Sequence, residues 1–253
     1  MNRVDGVVFM VHGFHDYSGA RYCLALDEVL LNRVSSGFRE GVVRAWVNPP
    51  SIVIGAGLRV CEEVYCSVAS KLGIPVYRRI SGGGAVYHDH GNVNISLILS
   101  GNYTVDDVYE LGLGFMLRVL SRLGVKGWVE NVNDIIVGGF KVSGSSAYIK
   151  PNASLYHATL LVDSDIGLLR SLIKPRLDRV ARGEVSPAKY NPGNLSWFID
   201  VDVKRVIRAV WIQAKETFSH VELGNPSQWE SREAWRLALR KYKDLNSPLK
   251  RIS

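Results

Sequence analysis

The chain has 253 residues, of which 47% are hydrophobic and 22% are charged, and this composition excludes a protein that is disordered over most of its length. Its length suffices for one large domain or two small ones with a substantial core. The apolar run at 7–11 is interrupted by His12, Gly13 and His15, which excludes a signal or membrane segment there, so we expect a soluble, cytoplasmic protein. The formal net charge of +7 is mild evidence for an acidic partner or a polyanionic ligand.

The three cysteines, Cys23, Cys61 and Cys66, lack the Cys-x-x-Cys spacing of many zinc sites. An odd number without that spacing argues against a disulfide scaffold and is consistent with a reduced cytosol. Cys61 and Cys66 lie five positions apart on one predicted helix, so their side chains should face different directions. We therefore expect all three cysteines to serve packing.

Hydrophobic periodicity and turn residues predict strands and helices that do not form strictly alternating βαβ units and contain no internal repeat. In chain order, the predicted elements are a strand at 7–11, a helix at 22–34, strands at 42–46 and 51–54, a helix at 62–72, strands at 74–77 and 94–99, a helix at 104–124, strands at 127–130, 135–137, 144–149 and 157–162, a helix beginning at Asp202 and a helix at 229–242. Strands clustered in the middle with helices beside and after them favour an α+β fold, a largely antiparallel sheet covered on one side by helices.

Two local patterns refine this prediction. Thr104 followed by Asp107 is typical of a capping box at the start of a helix. The stretch 175–195 has little periodicity and carries prolines and glycines, so we interpret it as a long surface connection that could become ordered with ligand.

The segment 78–89 combines two arginines, Arg78 and Arg79, with three adjacent glycines, Gly82, Gly83 and Gly84. Bare backbone N–H groups can form a concave anion site, and guanidinium groups match phosphate or carboxylate oxygens. A glycine-rich hairpin with solvated arginines explains the glycines about as well. The segment alone leaves both interpretations open.

A lysine between glycines, Lys141, marks a second informative stretch at 133–145. A compact ammonium can neutralise a carboxylate and an α-phosphate while the two react. An exposed hairpin lysine is the simpler explanation for an isolated Gly-Gly-x-Lys sequence. Lys141 is thus a candidate catalytic residue that needs support from other motifs.

Other polar and aromatic groups favour structural roles. His88 and His90 should share one face of a strand with Asp89 pointing away, and two ligands make a poor zinc site, so no metal site is predicted. His157 could be a core histidine with satisfied hydrogen bonds. A basic and aromatic set near the C-terminus fits a packing helix with a solvated side, and no nucleic-acid contact is predicted. That set is Trp229, Trp235, Lys241, Lys243, Lys250 and Arg251.

Several motifs occur in order along most of the chain. They are Ala-Leu-Asp-Glu at 25–28, Trp-Val-Asn at 46–48, Ser-Ile-Val-Ile-Gly at 51–55, the glycine segment at 78–89 with Gly-Asn at 91–92, Asn-Asp at 133–134, Lys-Val-Ser-Gly-Ser at 141–145, His-Ala-Thr-Leu-Leu at 157–161, Arg-Gly at 182–183, Ser186 and Asn-Leu at 194–195. Together they resemble the lipoate-protein ligase A family, whose catalytic domain has the biotin/lipoate ligase fold related to class II synthetases.

The resemblance implies a two-step, ATP-dependent reaction. Lipoate would attack the α-phosphate to give lipoyl-AMP and pyrophosphate, and a lysine of a carrier domain would then take the lipoyl group. The cofactors implied are ATP and Mg²⁺, with lipoate as the substrate. No protein nucleophile is required.

The resemblance also implies roles for particular residues. Lys141 would be catalytic. The residues implied in binding ATP and lipoyl-AMP are Arg79, Ser81, Gly82, Gly83, Gly84, Ala85, Val86, Tyr87, His88, Asn92, Asn133, Asp134 and Lys141. Those implied in binding lipoate are Lys141, Gly144, His157 and Ala158.

The implied partners are apo lipoyl domains of 2-oxoacid dehydrogenases or the H protein of glycine cleavage, without a membrane. The resemblance implies a single catalytic domain over 1–253, and we hypothesise that a separately encoded small protein supplies the accessory C-terminal domain of two-domain ligases.

The sequence departs from the family pattern after Gly55, where family members carry a glutamine and a basic residue, so part of the acyl pocket is unassigned. An octanoyl or lipoyl transferase that works without ATP is the alternative function, but such enzymes place a cysteine after the lysine loop and 146–161 contains none. A non-catalytic module that binds lipoyl adenylates is a third hypothesis. A biotin ligase is disfavoured because its arginine-rich glycine string is absent.

Overall fold

The computed structural model describes residues 7–12 and 19–246. The predictions that involve Gly13, His15, Lys250 and Arg251 lie outside these ranges. The strands are β1 (Val7–His12), β2 (Val42–Trp46), β3 (Ser51–Ile54), β4 (Val76–Arg78), β5 (Val86–His88), β6 (Asn92–Ser100), β7 (Trp128–Glu130), β8 (Asp134–Val137), β9 (Phe140–Lys150), β10 (Ala153–Leu161) and β11 (Val221–Leu223). The helices are α1 (Gly19–Ser35), α2 (Val60–Glu63), α3 (Cys66–Lys71), α4 (Val105–Arg122), α5 (Ile166–Leu172), α6 (Leu177–Ala181), α7 (Val203–Thr217) and α8 (Gln228–Arg240).

Two sheets organise these elements. The larger has eight strands in the order β11-β1-β2-β6-β10-β9-β8-β7, and the smaller has three in the order β4-β3-β5. Strand β1 runs parallel to β2 and β11, and β3 runs parallel to β4, whereas the other pairs are antiparallel. The prediction of an α+β fold with a largely antiparallel sheet flanked by helices is therefore confirmed.

Helices cover the large sheet on both faces, so the prediction of cover on one side was wrong. Alternate residues of β6 face opposite cores: Ile95 and Leu97 pack with α4 and α7, whereas Ile98 packs with α1 and α8. The pattern at 94–99 looked half-buried because Asn94 and Ser96 alternate with apolar residues, but both polar side chains are buried. They face a polar network rather than solvent.

Local sequence signals set the starts of α4 and α7. Thr104 and Asp107 form the predicted capping box at the start of α4, and Asp202 caps α7 by accepting a hydrogen bond from the Arg205 N–H. In α4, Val108, Phe115 and Val119 recur at helical spacing and are fully buried against the sheet. Capping and periodicity together explain why these helices begin where the sequence predicts.

The predicted helix at 62–72 is instead two short helices, α2 and α3. Val64 leaves the helix to form a bridge with Ile173, and the Tyr65 N–H donates to the Leu172 carbonyl. This interruption brings Cys61 and Cys66 together in a disulfide, which the sequence argument had excluded by assuming one continuous helix. Cys23 is buried on α1, as expected for a packing role.

Within the described ranges, no helix combines the length and the apolar character that a bilayer crossing requires.

Candidate active site

A cavity of about 840 Å³ lies where the small sheet meets strands β8–β10 of the large sheet. Most residues that the resemblance singled out line it: Arg79, Gly83, Gly84, Ala85, Val86, Tyr87, His88, Asn133, Asp134, Lys141, Gly144, His157 and Ala158. Ser81, Gly82 and Asn92 do not line it. Two sides can be distinguished, the glycine wall (residues 78–88) and the lysine wall (Asp134, Lys141, Gly144 and Lys189).

Arg79 is the central side chain of the glycine wall and is only 8% exposed. Its guanidinium donates to Ser81 Oγ (3.1 Å), to the Val53 carbonyl (3.2 Å) and to the Gly82 carbonyl (2.5 Å). Burial lowers the pKa of Arg79 to about 10, so the group stays a cation near neutral pH. Arg79 is therefore a fixed positive charge, oriented before any ligand arrives.

Arg78, by contrast, supports a turn. One of its nitrogens donates to the carbonyls of Gly55, Ala56 and Leu58, and the side chain is absent from the cavity lining. The interpretation that both arginines flank an anion was therefore wrong for Arg78. The turn after Gly55, where the sequence departs from the family pattern, is thus held by an arginine from the glycine wall.

Glycine is required where the backbone of this turn meets the loop. A Cβ atom on Gly55 would lie 2.1 Å from the Gly83 carbonyl oxygen, and Gly83 itself has a φ of +87°. Side chains avoid that region of φ, and backbone atoms cannot yield as a flexible side chain can. The bare backbone at these two positions thus sets the shape of the glycine wall.

A buried polar network lies behind the glycine wall. The Ser81 hydroxyl lies 2.5 Å from His157 Nε2, and His157 Nδ1 lies 3.9 Å from Asp27. Asp27 forms an ion pair with Arg44 and accepts a hydrogen bond from Ser96 Oγ (2.8 Å). Ser81, although outside the cavity lining, therefore connects His157 to Arg79.

Burial controls the charges in this network. Burial lowers the pKa of His157. The nearby Arg79 cation lowers this pKa further, whereas Asp27 acts to raise it. Burial alone would raise the pKa of Asp27, but Arg44, His157 and Ser96 together bring it below its usual value. The network therefore contains an ionised Asp27 beside a neutral His157 near neutral pH.

His88 and His90 lie in different environments, contrary to the expectation that they share a face. His88 is buried and pairs with Asn48 Nδ2 (2.9 Å), whereas His90 is exposed in the turn after β5. Burial, with the Arg79 and His157 charges, lowers the pKa of His88 to about 3. Asn92 is also buried and donates to Asn94 (3.2 Å), which does line the cavity.

The lysine wall centres on the carboxylate of Asp134, which is 1% exposed. Lys141 Nζ lies 2.6 Å from Asp134 Oδ1, and Lys189 Nζ lies 3.0 Å from Oδ2. Burial lowers the pKa of Lys141 despite the raising effect of Asp134, and Lys189 and Arg79 contribute in the same direction as burial. One carboxylate is thus shared by two ammonium groups.

Gly144 makes room for the Lys141 side chain. A Cβ atom at this position would lie 3.0 Å from both Cε and Nζ of Lys141. The resemblance implies that Gly144 binds lipoate. The geometry gives a further reason for a glycine here, because a side chain would crowd the Lys141 ammonium where it contacts Asp134.

Asn133 organises the adjacent turn. Its side chain donates to the Ser145 carbonyl, and its own carbonyl accepts from the Ser145 N–H (3.0 Å) and hydroxyl (3.1 Å). These contacts fasten the start of β8 to β9. They hold Asp134 at the position where it meets Lys141.

The stretch at 175–195 is part of the site rather than a plain surface connection. It contains α6, a short 3-10 turn at Pro187–Tyr190 and residues that line the cavity. The Lys141 N–H donates to the Asn191 carbonyl (2.8 Å), and the Gly193 N–H donates back to the Lys141 carbonyl (3.1 Å). These bonds bring Lys189 to Asp134. Sequence reasoning missed Lys189 because this stretch lacks the hydrophobic periodicity from which its position in the fold could be predicted. Its only signal was a basic residue among prolines and glycines.

Basic side chains outnumber acidic ones around the cavity. The charged residues of its lining outside the lysine wall are Arg79, Arg170, Lys174, Arg176, Arg179, Glu63 and Glu184. Such an excess attracts polyanions, and the cavity walls also include apolar groups such as Leu24, Trp46 and Val53. The arrangement suits a ligand with an anionic part and an apolar part.

A model of the lipoyl protein ligase A/B catalytic domain matches residues 19–214. The putative lipoate-protein ligase A of Aeropyrum pernix is 49% identical over 172 residues, which are 68% of this chain and 65% of the relative. The lipoate-protein ligase LplJ of Bacillus subtilis is 34% identical over 180 residues, 71% of this chain and 54% of the relative. The match therefore spans about half to two thirds of these relatives.

Subunit 1 of the lipoate-protein ligase A of Thermoplasma acidophilum matches over a larger share, 85% of each chain, at 27% identity over 227 residues.

Three solved structures share the fold. A bi-partite lipoate protein ligase from T. acidophilum, studied with its E2 lipoyl domain, superposes with a TM-score of 0.79 at 24% identity, covering 93% of this chain and 92% of that one. A putative lipoate protein ligase of T. acidophilum with bound lipoic acid gives 0.78 at 25% identity, covering 92% and 94%. A lipoate-protein ligase A bound with ATP gives 0.80 at 24% identity, covering 93% and 95%. The structures show the shared fold, and the family model, which matches residues 19–214, shows that the chain belongs to the lipoyl protein ligase A/B catalytic domain family.

Proposed function

We propose that this chain is the catalytic unit of an ATP-dependent lipoate-protein ligase. It activates lipoate to lipoyl-AMP and transfers the lipoyl group to a lysine of a lipoyl domain. The observation that carries the proposal is the Lys141 ammonium, held on the buried Asp134 inside a cavity whose other side is a glycine-rich loop with a fixed arginine. Relatives named as lipoate-protein ligases, and related structures with lipoic acid or ATP bound, support it.

The first step needs charge neutralisation more than proton transfer. A carboxylate oxygen of lipoate forms a bond to the α-phosphorus, and the bond to the bridging oxygen breaks as pyrophosphate leaves. Lys141 would neutralise the carboxylate and the α-phosphate as they meet, while Arg79 and the backbone N–H groups of Gly83 and Gly84 would hold phosphate oxygens. In the second step, the amine of the carrier lysine attacks the acyl carbon, the bond from that carbon to AMP breaks and the amine loses a proton, so this chain itself supplies no nucleophile.

The dimensions of the cavity fit these reactants. Its volume of about 840 Å³ lies within the usual range for small-molecule sites. The apolar chain of lipoate would lie against Leu24, Trp46 and Ala158, close to His157. The roles of Ser81, Gly82 and Asn92 in nucleotide binding stay predictions, and the positions of these residues support an indirect role through Arg79 and Asn94.

Magnesium would enter with ATP. The carboxylates on the cavity lining, Glu63, Asp134 and Glu184, each lie within salt-bridge distance of a lysine or arginine. Among the described residues, no group of three or more metal-binding side chains is assembled. This donor set fits a Mg²⁺ ion that is coordinated chiefly by phosphate oxygens and water, which is its usual environment with nucleotides.

The acceptor would be a lipoyl domain of a 2-oxoacid dehydrogenase, and the H protein of glycine cleavage stays a predicted second acceptor. A separate accessory protein would complete the enzyme. The relative that matches over 85% of each chain is named as subunit 1 of its ligase, and the related structure from T. acidophilum is described as bi-partite. A cytoplasmic location also stays a prediction.

The test is lipoate-dependent exchange of labelled pyrophosphate into ATP, followed by mass spectrometry of an apo lipoyl domain. We expect exchange by the wild-type chain, in the presence of the accessory protein if needed, and a loss of roughly 100-fold to 1,000-fold in Lys141→Ala, because one preorganised charge at a reacting centre has about that effect. The exposed Lys204→Ala is the matched control and should retain full activity. Exchange of undiminished rate in Lys141→Ala would contradict the proposed role of this lysine.

The same experiment separates the ligase from the transferase. Cys61 and Cys66 form a disulfide, Cys23 is buried, and none of the three lines the cavity. A ligase should therefore retain exchange when Cys23 is replaced by Ala. Acyl transfer without nucleotide that is lost in a variant without cysteines would instead support the transferase, and tight binding of lipoyl-AMP without turnover would support a non-catalytic module.

A further inference from the structure

Lys189 is a second ammonium group at the centre of the lysine wall that the two-step mechanism does not use. Its Nζ lies 3.0 Å from Asp134 Oδ2, on the opposite oxygen from Lys141. Its side chain is 20% exposed, similar to the 23% of Lys141, so both lysines reach the carboxylate from the cavity side. The negative charge of one carboxylate is thus balanced by two ammonium groups.

The second cation on Asp134 matters when Lys141 takes part in the reaction. To neutralise two reacting anions, the Lys141 ammonium must leave Asp134 at least partly. Asp134 is 1% exposed, and a buried carboxylate without a partner is strongly unfavourable. With Lys189 in place, Asp134 keeps a cationic partner throughout, and the movement of Lys141 becomes less costly.

Two hydrogen bonds, one on each side of its turn, hold Lys189 at this point. The turn at Pro187–Tyr190 that carries it is preceded by Ser186, whose N–H donates to the Asn131 side chain (2.6 Å). It is followed by Asn191, whose carbonyl accepts from the Lys141 N–H (2.8 Å). The two lysines are therefore linked by backbone as well as by the carboxylate.

We propose that Lys189 is a positioning residue of the adenylation step: it retains the Asp134 carboxylate while Lys141 moves to the reacting carboxylate and phosphate. This inference rests on the proposed ligase function. It assigns to Lys189 an effect on turnover that passes through Asp134, and no contact between Lys189 and substrate is needed.

The test compares Lys189→Met, Asp134→Asn and the double variant with the wild type and with the exposed control Lys204→Met in lipoate-dependent pyrophosphate exchange. We expect Lys189→Met to lower kcat roughly 10-fold to 100-fold while KM for lipoate changes less than about 3-fold. The double variant should be no slower than Asp134→Asn alone, because an uncharged amide no longer needs a cation. Lys189→Arg should recover most of the rate.

The dependence of kcat on pH gives a readout that structural damage would not produce. The charged groups around Lys141 of β9 are Asp134 on β8, Lys189 on the 3-10 turn and Arg79 on the glycine wall. The Lys189 charge acts to lower the pKa of Lys141. In Lys189→Met the pKa of Lys141 should rise, so the alkaline decline of kcat should move to higher pH.

The outcomes are distinguishable. Absence of exchange in the wild type with its accessory protein would overturn the proposed function itself. Wild-type exchange with an unchanged rate in Lys189→Met would overturn the role of Lys189 alone. A loss in Lys189→Met that is fully repeated on the Asp134→Asn background would show that Lys189 acts independently of Asp134, which also contradicts the inference.

Discussion

The glycine wall and the lysine wall hold their charged groups in different ways. In the glycine wall, Arg79 is fixed by three hydrogen bonds to the protein. In the lysine wall, two flexible side chains meet at one carboxylate. A guanidinium with several fixed partners keeps its orientation, whereas an ammonium on a four-carbon chain can exchange partners. One side of the cavity is thus rigid, and in our proposal the other side rearranges during the reaction.

The comparison explains why each side needs a glycine. The absence of a side chain at Gly55 lets two backbone segments approach each other closely. At Gly144 it lets the flexible end of the Lys141 side chain lie close to the backbone. The same substitution should therefore damage stability in one place and activity in the other.

The largest effect is expected for Gly55→Ala. The new methyl group would lie 2.1 Å from the Gly83 carbonyl oxygen, and the main chain must shift to admit it. We expect the free energy of unfolding to fall by roughly 3 kcal/mol, at the upper end of ordinary overpacking, and nucleotide binding to weaken. Urea denaturation measures the first effect and calorimetric titration with ATP the second.

Gly57→Ala is the matched control for this variant. A Cβ atom at Gly57 would meet nothing within 4 Å, so its free energy of unfolding should stay within about 0.5 kcal/mol of the wild type. Equal stability of the two variants would show that the contact between Gly55 and Gly83 yields easily, and the glycine wall would not be rigid.

A moderate effect, on activity rather than stability, is expected for Gly144→Ala. Its methyl group would lie 3.0 Å from the Lys141 ammonium, which can move aside at little cost to folding but then loses its position. We expect pyrophosphate exchange to slow roughly 100-fold, as displacements of about 1 Å at reacting groups do. A variant that is both stable and fully active would show that Lys141 does not need the place it has on Asp134.

The last effect, which is absent at neutral pH, is a dependence of stability on pH that arises in the glycine wall. His88 has a pKa of about 3 in the folded protein, below the value near 6.5 of an unfolded chain. Between these values the unfolded state binds more protons, so the contribution of His88 is complete above pH 6.5 and is lost progressively as the pH falls toward 3. The slope for one such group approaches about 1.4 kcal/mol per pH unit.

Replacing His88 by Gln should remove that part of the slope. Urea denaturation at several pH values between 4 and 7 measures it, with the exposed His90→Gln as the control expected to follow the wild type. An unchanged slope in His88→Gln would mean that protonation of His88 is not resisted by the folded glycine wall.

Much of the fold and of the site could be predicted because its signals are local. Periodicity placed α1, α4, α7 and most strands, the Thr104 capping box fixed the start of α4, and the ordered motifs pointed to Arg79, Asp134 and Lys141, which all line the cavity. The break between α2 and α3, the disulfide of Cys61 with Cys66 and the cover on both faces of the large sheet could not be predicted in this way. Each depends on contacts between segments that are distant in the chain, such as the bridge of Val64 with Ile173.

The sequence by itself singled out the glycine segment at 78–89 and the lysine stretch at 133–145, because each motif is contiguous in the chain, and residues of both line the cavity. Tertiary structure decided which of two adjacent arginines faces the cavity, because Arg78 is taken by the turn at Gly55 while Arg79 points inward. It also brought Lys189 from an unpatterned stretch to the carboxylate that already holds Lys141. A buried charge selects its partners by distance in space, and that distance is set only when the chain has folded.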